Sequence, residues 1–219
     1  MNPSEPIDAG DFATWLSQMQ GVLRGATAGT DVPCGDCVGC CSSRWPVALR
    51  AEDAALVPLV PAWLLQEPED APEGVRYMGY REDGTCPLLV KRQCRVYPQR
   101  PQTCRDFDCR IFTAAGMASA GADKPLLDKR LQAWRFRHAS AADAAVHEAI
   151  QAAAAFLQGA AREVPGFHFP AAPIAIAGLA LKAHTAFLDG KAAGLSAAEL
   201  ARAVVDAART FGAIESLPA

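Results

Sequence analysis

The chain has 219 residues and eight cysteines, a cysteine content far below that of small secreted scaffolds that depend on disulfides for want of a core. Its net charge of -3 gives no overall attraction to nucleic acid or to an anionic membrane, so we expect neither as a partner. The sequence opens without a basic and apolar leader, and its apolar runs stop short of about 18 residues. We therefore expect a cytoplasmic protein with reduced thiols.

Apolar periodicity predicts a helix near the start of the chain. Five apolar residues recur there at helical spacing: Phe12, Trp15, Leu16, Met19 and Leu23. This spacing predicts an amphipathic helix over residues 9–24 that leads into the first cysteines. A second, short helix is predicted near residues 51–57, ending at Pro58.

The first cysteine group lies in the segment PCGDCVGCC, residues 33–41, and consists of Cys34, Cys37, Cys40 and Cys41. A CxxC step lets two sulfurs converge on one ion, as in zinc knuckles and iron-sulfur ligand loops. Gly35 and Gly39 are expected to adopt positive φ there. Neighbouring side chains in extended backbone face opposite ways, so Cys40 and Cys41 are expected to serve two sites, or one ligand role and one supporting role.

The second cysteine group consists of Cys86, Cys94, Cys104 and Cys109. The runs CPLLV and CRVY, separated by KRQ, predict a small hairpin with Cys86 and Cys94 on its two strands, and QTCRDFDC is expected to begin a helical turn. The two groups are predicted to share sites, either two sites of four cysteines or one polynuclear cluster with accessory thiols. If some thiols are not ligands, Cys41 and Cys109 are the expected exceptions.

Charged residues cluster around the second group. Seven cations lie between residues 81 and 110: Arg81, Lys91, Arg92, Arg95, Arg100, Arg105 and Arg110. They can offset thiolate charge and favour the ligating form, and this is the expected role of Arg100 and Arg105, ahead of binding an anionic substrate. Three carboxylates between the cysteines are expected to be solvated or to support ligands, ahead of acting as ligand or general base: Asp36, Asp106 and Asp108. Tyr97 is expected to pack on the hairpin.

The combined cysteine spacing resembles the CxxCxxCC family of zinc- or iron-chelating proteins, also called YkgJ-like cysteine cluster proteins. The resemblance covers roughly residues 30–112, and the positions that carry it are Cys34, Cys37, Cys40, Cys41, Cys86, Pro87, Leu88, Cys94, Tyr97, Arg100, Pro101, Cys104, Arg105 and Cys109. It implies chelation of zinc or iron, with an iron-sulfur cluster as a further option. A related group, the flagellin lysine N-methylases, consists of larger proteins with a similar cysteine-rich domain that is associated with an iron-sulfur cluster.

The remainder of the chain is predicted to be helical. Leu127, Leu131 and Trp134 mark a helix over about 125–137. Two capping boxes then begin further helices, Ser140 with Asp143 and Ser196 with Glu199. The four histidines are expected to have no part in a metal site, with His147 on a polar helix face: His138, His147, His168 and His184.

The sequence therefore predicts a mainly α fold, a helical scaffold holding an irregular cysteine-rich metal-binding module with a small β-hairpin. The expected domains are residues 1–115, with the cysteine cluster and the N-terminal helix, and residues 116–219, an alanine-rich helical region packed on it. Nucleotide-binding loops, serine triads and HExxH motifs are lacking. Two functions stay open: chelation of zinc or iron, and an iron-dependent or iron-sulfur redox or modifying enzyme acting on a peptide or protein.

Overall fold

The structure is a computed structural model that describes residues 5–213. Its described part is mainly helical, as predicted, with three small sheets. The α-helices and strands are β1 (Ile7–Asp11), α1 (Phe12–Leu23), β2 (Val47–Leu49), β3 (Leu65–Gln66), β4 (Arg76–Met78), β5 (Leu89–Val90), β6 (Gln93–Cys94), α2 (Gln102–Asp106), α3 (Arg110–Ala114), α4 (Pro125–Ala133), β7 (Trp134–Arg137), α5 (Ala141–Gln158), α6 (Pro173–Ala183) and α7 (Ala197–Ala213).

The N-terminal helix is present, but it begins three residues later than predicted. Residues Ile7–Asp11 form a strand, and the Asp11 carboxylate then caps α1 by accepting the backbone N–H of Thr14 at 2.9 Å. This is the ordinary role of an aspartate at a helix start, where the first N–H groups lack intrahelical partners. The helix buries four of the five predicted apolar residues, Phe12, Trp15, Leu16 and Met19, and Leu23 is half-buried.

The predicted helix over 125–137 ends at Ala133, and its last four residues form β7 instead. Strand β7 pairs in parallel with β1, so that Ile7 lies beside Trp134 and Asp11 beside Arg137. Pairing with β1 satisfies the extended backbone, and Phe136 packs edge-on against Phe12 with 5.4 Å between ring centroids. Tertiary pairing therefore overrides the helical periodicity at this point.

The short helix after β2 is a 3₁₀ helix, Ala51–Leu59, and it includes Pro58 rather than ending there. The buried Asp53 carboxylate fixes this segment, because it accepts the backbone N–H of Arg50 at 3.1 Å and that of Gln102 at 3.0 Å. Strands β2, β4 and β3 form an antiparallel sheet beside it.

The hairpin is present but is shorter than predicted. Strands β5 and β6 pair antiparallel with Leu89 opposite Cys94, and Cys86 lies before β5 instead of on it. The turn residues Lys91 and Arg92 both have positive φ, 48° and 62°, as a two-residue hairpin turn requires. The helical turn predicted at QTCRDFDC corresponds to α2, and Cys109 at its end is the N-cap residue of α3.

Both capping boxes are confirmed. The Ser140 N–H donates to the Asp143 carboxylate at 3.0 Å and the Asp143 N–H donates back to the Ser140 hydroxyl at 3.1 Å, at the start of α5. Ser196 and Glu199 make the same exchange before α7. Within residues 5–213, none of the helices is both long enough and apolar enough to span a bilayer.

Two hydrophobic clusters organise the described chain. The larger one, here called the large core, runs from Ala9 to Val204 and contains residues of α1, α3, α4, α5, α6 and α7. The smaller one, here called the small core, consists of Val47, Leu49, Leu56, Val60, Leu64, Met78, Cys86, Leu88 and Val96. The large core takes residues from both sides of position 115, and the domain division proposed there stays a prediction.

Candidate metal centre

All eight cysteines are free thiols, and the first four lie on a loop between α1 and β2. The Cys37 N–H donates to the Cys34 carbonyl at 2.9 Å, and the Gly39 N–H approaches the Cys37 sulfur at 3.4 Å. Cys40 and Cys41 then begin a short 3₁₀ turn, Cys40–Ser42. The loop therefore makes a tight turn in which a backbone N–H group points toward the Cys37 sulfur, as the CxxC spacing predicted.

The two glycines of this loop have different roles. Gly35 has φ of 55°, as expected, and faces open space. The expectation was wrong for Gly39, whose φ is -53°. Gly39 instead permits a close approach, because a Cβ at this position would lie 3.0 Å from the Leu127 Cα. Helix α4 thus packs directly on the backbone of the cysteine loop.

Four cysteines, here called the first set, gather at the edge of the large core: Cys34, Cys37, Cys40 and Cys109. Cys109 is buried within this core, Cys34 and Cys40 pack against it, and Cys37 lies outside it but is close enough to raise the pKa of Cys34 and of Cys40. Burial raises the pKa of Cys40 well above its usual value, with further increases from the thiolates of Cys109, Cys34, Cys41 and Cys37. Burial also raises the pKa of Cys109 to about 12.

The other four cysteines, here called the second set, belong to the small core: Cys41, Cys86, Cys94 and Cys104. Cys86 is part of this core, and the other three pack against it. The Cys86 N–H donates to the Cys41 carbonyl at 2.7 Å, which ties the two chain segments together. Burial raises the pKa of Cys41 to about 12, and the thiolates of Cys86, Cys94 and Cys104 raise it further. Burial likewise raises the pKa of Cys104 to about 12.

Cys40 and Cys41 therefore pack in different cores although they are consecutive in the chain. Each set also joins both sequence groups, since Cys109 accompanies three cysteines of the first group and Cys41 accompanies three of the second. Which of the eight bind a metal stays a prediction, and so does the choice of Cys41 and Cys109 as exceptions.

A cleft of about 470 Å³ opens on the sulfurs. Six of the cysteines line it: Cys34, Cys37, Cys40, Cys41, Cys94 and Cys109. Arg92, Tyr97, Arg130 and Trp134 also line it. In the part of the chain that the structure describes, no three His, Cys, Asp or Glu side chains are already arranged to hold a metal ion. The donors are the right type for zinc or iron, and the thiols would have to turn toward a common point to bind one.

Two residues of the cleft wall come from outside the predicted site. The Trp134 indole N–H donates to the Cys109 sulfur, with 3.4 Å between Nε1 and Sγ. The nearly buried Arg130 guanidinium donates to the Cys34 carbonyl and lies 3.7 Å from the Asp36 carboxylate. A buried indole needs an acceptor, which was a weak signal for Trp134. The sequence contained no comparable signal for Arg130.

The predicted cations mostly fix the backbone around the sulfurs. The Arg81 guanidinium donates to the carbonyls of Cys86 at 3.0 Å, Pro87 at 2.7 Å and Leu89 at 3.2 Å. Arg100 stacks over Tyr97, 4.4 Å from its ring centroid, and donates to the Thr30 carbonyl.

The Tyr97 hydroxyl donates to the Val32 carbonyl at 3.2 Å, so Tyr97 joins the cysteine loop to the segment after the hairpin. Arg105 donates to the Gln102 side chain. These contacts stabilise the positions of the cysteine loop and of the segment after the hairpin. Arg92 and Arg130, in contrast, line the cleft.

The three carboxylates between the cysteines lie in different surroundings. Asp108 is buried and accepts from the Trp15 indole at 2.9 Å and from Arg110 at 2.7 Å, so it supports the segment that carries Cys109. Asp106 accepts from the Gln102 side chain and lies 3.8 Å from Arg50. Asp36 is exposed beside Arg130.

His147 shares a helix face with Gln151, as predicted, with 3.2 Å between its Nε2 and the Gln151 side-chain amide, but it also contacts the large core. Its ring stacks on Phe12 with 4.5 Å between centroids, and its Nδ1 lies 2.9 Å from Nε2 of His138. Burial lowers the pKa of His147, and the nearby His138 lowers it further. Neither histidine lines the cysteine cleft.

Comparison with protein families gives a match that covers both cysteine groups. Residues 33–123 match the CxxCxxCC family, described as "Putative zinc- or iron-chelating domain". This match confirms the resemblance for that segment, which is less than half of the chain and ends before α4. Comparison with curated proteins and with solved structures gave no match.

Proposed function

We propose that this protein binds zinc or iron through its cysteine cluster. The observation that carries the proposal is the gathering of the eight free thiols, from two segments of the chain, into two neighbouring sets, with seven of them in or against the two cores and Cys37 beside Cys34 and Cys40. Buried structural cysteines are usually isolated, and thiols crowded at this density are typical of metal sites in reducing compartments. The matched family description is consistent with this function.

The donor set fits either metal. Thiolate sulfur is the soft ligand that zinc and iron-sulfur clusters prefer, and either kind of centre takes four of them. The raised thiol pKa values mean that the metal-free thiols carry protons near neutral pH. Binding would therefore release protons, and we expect affinity to fall as the pH is lowered. Metal binding by free thiols suits the reducing cytoplasm, which is where we expect this protein to work.

Anaerobic purification, followed by elemental analysis and an absorption spectrum, tests the proposal. Zinc at about one equivalent or more per chain, without visible absorption, identifies a zinc protein. Iron with sulfide and broad visible absorption identifies an iron-sulfur protein. Native protein without zinc or iron, purified with no loss during handling, contradicts the proposal.

A second function is favoured by the cleft. Its wall contains Arg92, Arg130 and Tyr97 beside six thiols. The cleft is large enough for a peptide side chain to reach a metal centre bound by these thiols. We propose, as the alternative, an iron-dependent or iron-sulfur enzyme that modifies a peptide or protein, distantly like the flagellin lysine N-methylases. A native protein that contains only zinc excludes this alternative, because zinc is not redox-active, whereas iron is compatible with both functions.

A further inference from the structure

We propose that the eight cysteines form two separate four-sulfur centres, Cys34, Cys37, Cys40 and Cys109 in one and Cys41, Cys86, Cys94 and Cys104 in the other. The inference rests on the proposed function, since it concerns how many centres bind the metal and which residues form each. It excludes a single polynuclear cluster, and it makes every cysteine a ligand, including Cys41 and Cys109.

The boundary between the centres lies at the peptide bond between Cys40 and Cys41. These residues begin a 3₁₀ turn, in which successive side chains diverge by about 120°. Cys40 therefore packs against the large core and Cys41 against the small core. Two sulfurs that diverge from one turn are badly placed to bind one tetrahedral ion.

Each centre also has its own arginine that positions a cysteine-bearing loop. Arg130 donates to the Cys34 carbonyl of the first set. Arg81 donates to the Cys86 carbonyl of the second set at 3.0 Å, and to the two carbonyls named above in the same loop. The two guanidiniums come from different parts of the fold, and each brings positive charge near one set. Four thiolates around one divalent ion leave two negative charges, which such cations can offset.

The two centres differ in their exposure to the cleft. All four cysteines of the first set line it, whereas Cys86 and Cys104 of the second set do not. The first centre therefore faces the cleft, whereas the second is partly enclosed by the small core; with four sulfur ligands each, neither centre has an open position for a substrate. We therefore assign folding of the small core to the second centre and metal exchange to the first.

Zinc titration of the full-length chain tests the assignment. The wild-type protein should bind about two equivalents, and the single variants Cys109→Ser and Cys86→Ser should each retain about one. The zinc kept by Cys86→Ser, in the first centre, should pass to a competing chelator several-fold faster than the zinc kept by Cys109→Ser. A double variant should bind none.

Cobalt titration of the wild-type chain gives a second measurement that needs no variant. Two resolved phases of about one equivalent each support two centres. A single phase, or the loss of all metal from either single variant while that variant remains folded, overturns the inference and leaves the proposed metal binding intact. Absence of zinc and cobalt binding by the wild-type chain overturns the inference, and it contradicts the proposed function as well if the native protein also contains no iron.

Discussion

At the residue scale, the least expected contact of the candidate site is the indole N–H of Trp134 on the Cys109 sulfur, at 3.4 Å. Hydrogen bonds to a ligand atom hold it in position and adjust its basicity, and their loss commonly costs 10- to 100-fold in metal affinity. Trp134 is almost fully buried, so this bond is shielded from water.

We expect Trp134→Phe to lower metal affinity by about tenfold, because phenylalanine fills most of the space and removes the donor. Competition with a chromophoric chelator measures the affinity. Trp45→Phe is the matched control, since Trp45 packs on Phe107 and Phe112 beside the large core, and it should leave the affinity unchanged. Equal loss in both variants would show that packing, not the N–H group, is responsible.

The sequence identified the cysteines as candidate metal ligands, but it did not identify the residues that contact and support them. Spacing and charge revealed all eight thiols, and adjacency indicated that Cys40 and Cys41 face different ways. The donors from Trp134 and Arg130 come from positions 25 and 96 residues away from the cysteines they contact. Contacts at such separations depend on how α4 packs, which local spacing does not encode.

At the element scale, the contact between α4 and the cysteine loop depends on Gly39. We expect Gly39→Ala to lower the free energy of unfolding by about 1–3 kcal/mol, because its Cβ would press on helix backbone that cannot rotate away. Urea unfolding of the metal-free protein measures this change.

Gly178→Ala is the control with the opposite sign. Gly178 lies within α6 and a Cβ there meets nothing within 4 Å, so alanine should raise the free energy of unfolding by about 0.5–1 kcal/mol. If Gly39→Ala is as stable as the wild type, α4 does not pack on the loop as closely as described.

The helices with capping boxes, α5 and α7, could be predicted because their start signals are local. The pairing of β1 with β7 could not be predicted. Trp134 continues the helical spacing of Leu127 and Leu131, so the sequence of β7 looks like a continuation of α4. The partner strand of β7 is β1, which lies near the start of the chain. Only the folded backbone shows that Ile7–Asp11 is available for this pairing.

At the scale of the whole molecule, the small core has few apolar residues compared with the large core, and the second set of cysteines packs in and against it. A core of this size has little stability of its own, so bound metal should contribute much of it.

Metal removal should therefore loosen the small core first. We expect hydrogen exchange to accelerate in β2 and β4 after chelation, while the amides of α5 and α6 keep their protection. Equal loss of protection throughout the chain would contradict this order, and no loss anywhere would show that bound metal does not stabilise the small core.

The buried thiols also predict how stability depends on pH. Cys41, Cys104 and Cys109 have pKa values near 12, mainly because of burial, against 9.0 for an unperturbed cysteine. Between these values the unfolded chain loses protons that the folded metal-free chain keeps. Stability of the metal-free protein should be complete below about pH 9 and should fall as the pH rises toward 12.

Zinc should abolish this alkaline loss, because the ligating thiolates are already deprotonated, and should replace it with a loss at acidic pH. Urea unfolding across the pH range, with and without zinc, measures both effects. A flat alkaline profile for the metal-free protein would show that these thiols are not buried as described.

The parallel pairing of β1 with β7 has a consequence for synthesis. Ribosomes add about 5–20 residues per second, so β1 waits for roughly ten seconds before its partner strand exists. Both cysteine groups lie between the two strands and are made within that interval, whereas Trp134 begins β7 itself and reaches Cys109 only afterwards. The nascent cysteines are therefore open to the cellular metal supply before the strand pair and the large core close beside them.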